Sequence, residues 1–596
     1  MINFEQKIKE AVQSVVFEVY NQNIDESLLQ INKTREEFEG DFTIVIFPLV
    51  KIVRLSPEAT ANQIGTALME KLPFVESFNV VKGFLNLSLT PQIWLEYFKE
   101  AYTTDFKFFT QSSSQPIVVE FSSPNTNKPL HLGHVRNNLL GCSVCNILEA
   151  VGYPVIRVNL VNDRGIHICK SMVAWLHSAN GATPESTQMK GDKLVGYYYV
   201  EFDKLYKSEI NSLIEKGYTK EDAEKQAPIM LEAQEMLRKW EANDEQVRAL
   251  WVKMNNWVYD GFAQTYQQLG ISFDKIYYES NTYLRGKSLV DVGLTNNVFY
   301  QRADGAVCVN LTDEGYDEKV LLRSDGTSVY ITQDLGTAEQ RHKEFQPQKM
   351  IYIVGNEQNY HFDVLKLILS KKLNFAWGDT IYHLSYGMVE LPNGKMKSRE
   401  GTVVDADDLM QNMIAIAAEN TRQMGKIDDF SQEEFEKLSS MIGLGALKYF
   451  ILKVDPRKNM LFNPEESIDM NGNTAPFIQY THARIASLTR KAETENIDLS
   501  HCVNIDILPK EERRLLRLLY DYVGVLEQAG QDLSPALIAN YAYSLVKMYN
   551  QFYQATPIFK EENALLRLFR LQLSQTVGRF IAHAMSLLGI DVPDKM

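Results

Sequence analysis

Cysteine is scarce in this chain, five among 596 residues. They are mostly scattered, which excludes a disulfide-stapled secreted scaffold and fits a reducing compartment. Cys142 and Cys145 come closest to a metal-binding pair. They fall inside a helical pattern with no second ligand pair, so no zinc is expected. Long apolar runs are also missing. No stretch approaches the roughly 18 to 20 apolar residues of a membrane span, so no membrane partner is expected. The opening segment, MINFEQKIKEAVQSVVFEVY, carries acids among its apolar residues and lacks a small-residue cleavage site. It reads as an amphipathic helix rather than a signal peptide, and the expected location is cytoplasmic. Internal repeats and low-complexity tracts are absent, which excludes a repeat architecture. Basic excess is absent too. Lys and Arg number 61 against 76 Asp and Glu, a formal charge of −15. Alone, that balance argues mildly against a nucleic-acid partner, although phosphate contacts need only a local basic surface.

What is present is an ordinary globular composition, 45% hydrophobic and 23% charged, in a chain long enough for three or four domains. Residues 1–110 mix a helical pattern with strand-like runs and read as a small α+β domain. The polar stretch from Thr110 to Gln115 is a linker. Residues 111–455 read as a parallel-sheet catalytic domain of Rossmann-like type. The apolar strand PIVVEF leads through SSPNTNKPLHLGH into a helix, and Gly152 and Pro154 end that helix before the next strand, a βαβ order. Roughly 178–285 is helical and charged and looks like an insertion. The sheet pattern returns at MIYIVG, and residues 456–596 are nearly all helical.

The chemistry concentrates in two places. His131, Leu132, Gly133 and His134 stand after a strand, at the start of a helix. Glycine permits close backbone approach, helix-terminal N–H groups attract anions, and two imidazoles three residues apart can face one phosphate. A capping histidine beside a packed one is the plainer reading of such a pair. The second place is Lys395-Met396-Lys397-Ser398-Arg399-Glu400-Gly401, after a strand and the turn Pro392-Asn393-Gly394. A glycine-flanked cationic loop can neutralise charge developing on pyrophosphate.

In this order, the two segments resemble the paired signatures of class I aminoacyl-tRNA synthetases. The run EFSSPN, the segment DGTSVYITQD and GNEQNYHF are similar to blocks of the arginyl-tRNA synthetase family. That resemblance covers nearly the whole chain and is densest from Glu120 to Thr402. It implies ATP-dependent joining of arginine to its tRNA through an adenylate, with Mg²⁺ on ATP, in a monomer that binds tRNA before activating arginine. His131, Gly133, His134, Lys395, Lys397 and Ser398 would contact ATP. Ser398 stands where the family's second signature lysine is usual, and family members with this departure place a lysine ahead of the first signature, here Lys128. His131, His134, Lys128 and Lys395 would therefore stabilise the phosphates.

A guanidinium offers a planar fork of donors, so its pocket should supply carboxylates. Glu120 ends the first sheet strand, and Tyr330 and Asp334 stand four apart where a helix should begin. The resemblance places Glu120, Tyr330 and Asp334 around the arginine side chain, with Asn125 and Gln358 at its ammonium and carboxylate ends. Asn162-Asp163-Arg164-Gly165 matches a further block of the same cleft. The helical tail resembles the family's anticodon-binding domain, with Phe477, Tyr480, Tyr549, Tyr553 and Met596 near the bases, and residues 1–110 its domain for the tRNA elbow. A synthetase of other specificity, a tRNA-independent nucleotidyltransferase and a non-catalytic RNA-binding paralogue remain alternatives at this level.

Overall fold

The first helix, Phe4–Tyr20, begins where the Asn3 side chain accepts the Gln6 N–H. It buries Phe4, Ile8, Ala11, Val12, Val15 and Val16, the stripe that a 3.6-residue repeat places on one face. The computed structural model describes residues 2–35, 37–111, 113–390, 404–423, 425 and 430–596. The helix covers an antiparallel sheet of β1 (Ile31–Lys33), β2 (Phe42–Val45), β3 (Val75–Val81) and β4 (Phe84–Leu89), in the order β1-β2-β4-β3. The strand-like run at residues 41–50 is only half strand. It stops at Val45, and Pro48 sits in the first turn of a short helix, where its missing N–H costs nothing.

The catalytic sheet is parallel and five-stranded, ordered β12-β11-β5-β6-β7, with β5 (Ile117–Glu120), β6 (Val155–Val161), β7 (Lys275–Tyr278), β11 (Lys349–Gly355) and β12 (Ile381–Tyr386). All four β5 residues are buried, as expected of a central parallel strand covered on both faces. Chain order runs outward from β5 on both sides, so a crevice opens beyond its carboxyl end. The helix Leu132–Ala150 packs closely over β5. A Cβ on Gly141 would lie 2.2 Å from the Phe121 ring, so only glycine allows that approach.

Between β6 and β7 run the helices Ile166–Ser178, Gly191–Glu215, Lys220–Gln226, Pro228–Glu241 and Glu245–Leu269. Strand β7 arises inside the segment read as a helical insertion, so the helical part ends at Leu269. Only four residues long, β7 gave a weak alternating pattern, and its pairing with β6 is what makes it a strand. A three-stranded antiparallel sheet, β8 (Tyr300–Gln301), β9 (Val307–Val309) and β10 (Lys319–Leu322), precedes the helix Tyr330–Phe345.

The tail is helical, with Ala475–Thr494, Lys510–Tyr520, Tyr522–Asp532, Pro535–Ala555 and Ala564–Leu587. It docks on the N-terminal domain through a shared apolar core that includes Phe4, Trp94, Leu519 and Phe569. Tyr520 stacks on Phe4 at 4.9 Å, and its hydroxyl accepts the Phe4 N–H at 2.9 Å. Buried Asp41 pairs with Arg513 and with Arg517 across the same interface. Among the described residues, no helix is long and apolar enough to cross a membrane.

Candidate active site

The chain leaves β5 through two consecutive non-glycine residues of positive φ, Ser122 at 78° and Ser123 at 45°. That sparsely populated conformation persists because the surroundings hold it. The Ser122 N–H donates to Asn137 Oδ1 at 2.5 Å, and the Ser123 N–H donates to Asn159 Oδ1 at 3.0 Å. Asn137 in turn donates to the Ile353 carbonyl on β11 at 2.7 Å, joining the signature helix to two strands. The sharp exit opens a cavity of about 430 Å³ lined by Ser122, His131, His134, Asn137, Tyr386 and Glu390.

His131 caps its helix and also lines this cavity. Its Nδ1 accepts the Gly133 N–H at 3.1 Å, while His134 Nδ1 accepts the His131 N–H at 3.2 Å. The capping reading of the pair therefore holds, and both rings also line the cavity. Because each Nδ1 accepts from a backbone N–H, each neutral ring carries its hydrogen on Nε2 and offers a donor there. Burial, with the nearby Lys128 charge, holds His131 down to about 4. Burial, His131 and Lys128 hold His134 well below the usual range. Both rings are uncharged at neutral pH.

Lys395, Lys397 and Ser398 lie outside the described residues. The residues on either side of that segment are at the site. Glu390 lines the cavity, Val404 O accepts the Leu132 N–H at 3.1 Å, and the Ala406 N–H donates to Leu130 O at 2.9 Å. Arg136, fully buried, donates to the carbonyls of Met388, Pro456 and Lys458 and fastens the signature helix to the short strands Val389–Glu390 and Met460–Leu461.

The residues expected around arginine are divided by the fold. The helix Tyr330–Phe345 begins at Tyr330, which is 74% exposed, with Asp334 one turn on. Asp334 Oδ2 lies 2.6 Å from His361 Nε2. Gln358 is exposed on the short turn Asn356–Gln358, and Asn125 is exposed where its backbone bridges Asn162. Glu120 departs from expectation. Its carboxylate pairs with the buried guanidinium of Arg341, two turns beyond Asp334 on the same helix, and accepts the Ser123 hydroxyl at 3.1 Å. An internal cation already matches its charge.

A second strand-end acid lies close to Asp334. Glu279, directly after β7, lies near Asp334, Asp163 and Gln333, with Arg164 at 3.9 Å. Burial first, with the neighbouring Asp163 and Asp334 adding to it against Arg164, pushes its carboxyl up to about 7. Nothing local in the sequence singles out Glu279, since it reaches this cluster only through the β6–β7 pairing. Asp163 is a clamp. Its carboxylate accepts from Ser280 and from the Tyr259 hydroxyl, and its carbonyl accepts from Trp251 Nε1 at 2.6 Å.

In the tail, Tyr549 is corrected. It is fully buried against Phe552, which puts its ring out of reach of a base. Four residues on, helical rotation brings Tyr553 to the half-buried surface. There the Arg484 guanidinium lies 5.0 Å from both the Tyr480 and Tyr553 rings. Phe477 and Met596 are also half-buried, and Met596 shares a small apolar cavity with Tyr480. Arg484 was not foreseen, because a lone arginine in a helical pattern carries no signal of its own.

Crevice, capped histidine signature, helical insertion and helical tail together define a class I aminoacyl-tRNA synthetase. The model for class I (R) tRNA synthetase catalytic domains matches residues 99–463, that for the arginyl-tRNA synthetase N-terminal domain residues 3–89, and that for the DALR anticodon-binding domain residues 478–596. Arginine–tRNA ligases of Bacteroides thetaiotaomicron and Flavobacterium psychrophilum are 55% and 52% identical, each covering all of both chains. The arginyl-tRNA synthetase structure of Thermus thermophilus shares the fold at a TM-score of 0.79, with 23% identity over the full length of both chains. The chain belongs to the arginyl-tRNA synthetase family, and it ligates arginine to tRNA at the expense of ATP.

Proposed function

We propose that ATP, carrying Mg²⁺ as part of the substrate, occupies the cavity beside His131 and His134, and that Glu279 and Asp334 hold the guanidinium of arginine. The carrying observation is the placement of Glu279, a mostly buried carboxyl just past the end of β7 beside Asp163 and Asp334. A mostly buried acid beside two further carboxylates, with Arg164 at the edge of ion-pair range at 3.9 Å, carries more negative charge than its neighbours offset, and a guanidinium balances it. Glu120 then braces the Ser123 turn, Tyr330 flanks the side chain, and Asn125 and Gln358 face the two ends of the amino acid.

The arginine carboxylate attacks the α-phosphorus and the bond to the pyrophosphate oxygen breaks. The terminal ribose hydroxyl of tRNA then attacks the arginyl carbonyl, and AMP leaves. No side chain serves as nucleophile, so catalysis consists of positioning and charge stabilisation. The Nε2–H groups of His131 and His134 donate to phosphate oxygens, and Lys128 supplies charge where Ser398 cannot. Lys395 and Lys397 would join from the second signature. Phe477, Tyr480, Tyr553 and Met596 form an anticodon surface whose aromatic faces stack unpaired bases, at roughly 1–3 kcal/mol each. The protein works as a cytoplasmic monomer.

The test is charging of total tRNA with labelled arginine, compared with lysine, glutamine, glutamate and cysteine. Charging confined to arginine, lost about 100-fold in Lys128→Ala and accompanied by a raised arginine KM in Glu279→Gln, supports the whole reading. An unchanged arginine KM in Glu279→Gln overturns the pocket assignment.

A further inference from the structure

Behind the His131 turn lies a second cavity of about 270 Å³, lined by Lys128, Leu130, His131, Lys193, Tyr197 and Asp405. His131 borders both cavities, so a polyphosphate passing its ring from the first enters the second. We infer that this second cavity seats the two distal phosphates, and that Lys193, from the helical insertion, is a phosphate-binding residue alongside Lys128. The inference rests on the ATP placement proposed above.

Lys128 is half-buried and has no ion pair among the described residues, and burial lowers its amine. A cation left in that state is stabilised by an incoming anion. Lys193 is different, being charged and provisionally held. Its Nζ lies 2.7 Å from Asp408 and 3.3 Å from Asp405. Burial works against its charge, but the two acids more than restore it. The Asp408 side chain is 72% exposed, so that pair is a weak surface contact, readily exchanged for phosphate oxygens.

The backbone beneath Lys193, by contrast, is fixed. The neighbouring Asp192 is buried and pairs with Lys190, which also reaches Asp407 at 2.7 Å and Thr265. A Cβ on Gly191 would lie 2.0 Å from the Trp257 carbonyl, so the helix start is seated directly on its neighbour. Only the amine of Lys193 is free to change partners. When diphosphate leaves, Asp408 and Asp405 take the amine back, which favours release.

The experiment uses the full-length enzyme with tRNA, arginine and ATP, and reads inhibition of charging by inorganic pyrophosphate. Lys193→Met should raise the pyrophosphate inhibition constant about ten-fold, the loss of one charge-assisted contact. It should also lower kcat while the arginine KM stays unchanged. Lys193→Arg should restore most of the binding. Asp408→Asn, which frees the amine, should leave the constant equal or lower. An unmoved constant in Lys193→Met, or an Asp408→Asn variant as impaired as Lys193→Met, overturns the inference, the latter by showing that the ion pair itself is what matters. If wild type fails to charge arginine, the underlying reading falls first. Normal charging with an unmoved constant sinks this inference alone.

Discussion

Glu120, the last residue of β5, and Arg341, on the helix Tyr330–Phe345, form an ion pair in which the Arg341 side chain is 1% exposed and the Glu120 side chain 9%. The guanidinium also lies 5.0 Å from the Tyr277 ring and 5.4 Å from the Tyr352 ring, tying one helix to three strands of the catalytic sheet. Removing one member of a buried pair strands the other charge. Arg341→Met should therefore cost about 3–5 kcal/mol in urea unfolding, and Arg341→Met combined with Glu120→Gln should recover much of it. Equal losses in the single and double variants would show that packing, not charge, dominates there.

Glu279 should give arginine binding a pH dependence. Its folded-state pKa is raised from 4.5 to about 7. In the free enzyme it therefore favours the neutral acid, a stabilisation fully present below pH 4.5 and lost as pH rises to 7. In the proposed pocket arginine binds the ionised form, so its KM should fall as pH rises through about 7. Glu279→Gln should flatten that profile, and binding near pH 6.5 should release protons, measurable by calorimetry in buffers of different ionisation enthalpy.

His131 has the opposite sign. Its pKa is depressed from 6.5 to about 4, so the unfolded chain binds the proton first as pH falls. Stability is intact above pH 6.5 and declines as the pH drops from 6.5 toward 4. His131→Gln should make denaturant-unfolding free energy less steep in that window. An unchanged slope would mean the ring is as wet in the fold as in the unfolded chain.

Asp41 holds the N-terminal domain to the tail through Arg513 and Arg517. It is buried and also accepts the Leu89 N–H at 2.7 Å. Asp41→Ala leaves two guanidinium groups facing each other without their carboxylate, at a cost of about 3 kcal/mol. The expected outcome is a lower melting temperature, faster proteolysis in the linker near residue 110 and a raised KM for tRNA, with the KM for arginine unchanged.

Much of this molecule could be read along the chain, because the relevant relationships are local. The strand at PIVVEF, the turn after it and the capped helix at His131 are contiguous. Their apolar pattern and glycine spacing thus specify a capped helix start beyond the end of the strand before any long-range contact forms. The helix beginning at Tyr330 with Asp334 one turn later was legible for the same reason, and so was the amphipathic helix from Phe4 to Tyr20. Tyr549 shows where periodicity stops being informative. Tyr549 and Tyr553 share a spacing that fits a buried or an exposed face, and only packing against Phe552 buries the first and leaves the second at the surface beside Arg484.

Charge partnership is decided by tertiary structure alone. Glu120 and Glu279 are both acids at the ends of strands, and nothing nearby in sequence separates them. Arg341 reaches Glu120 because a helix crosses the sheet, and Glu279 reaches Asp334 because β7 pairs with β6 across the whole helical insertion. Lys193 meets Lys128 only through the seating of that insertion against the signature turn. Electrostatic energy depends on distance through space and on burial, and a linear order of residues encodes neither.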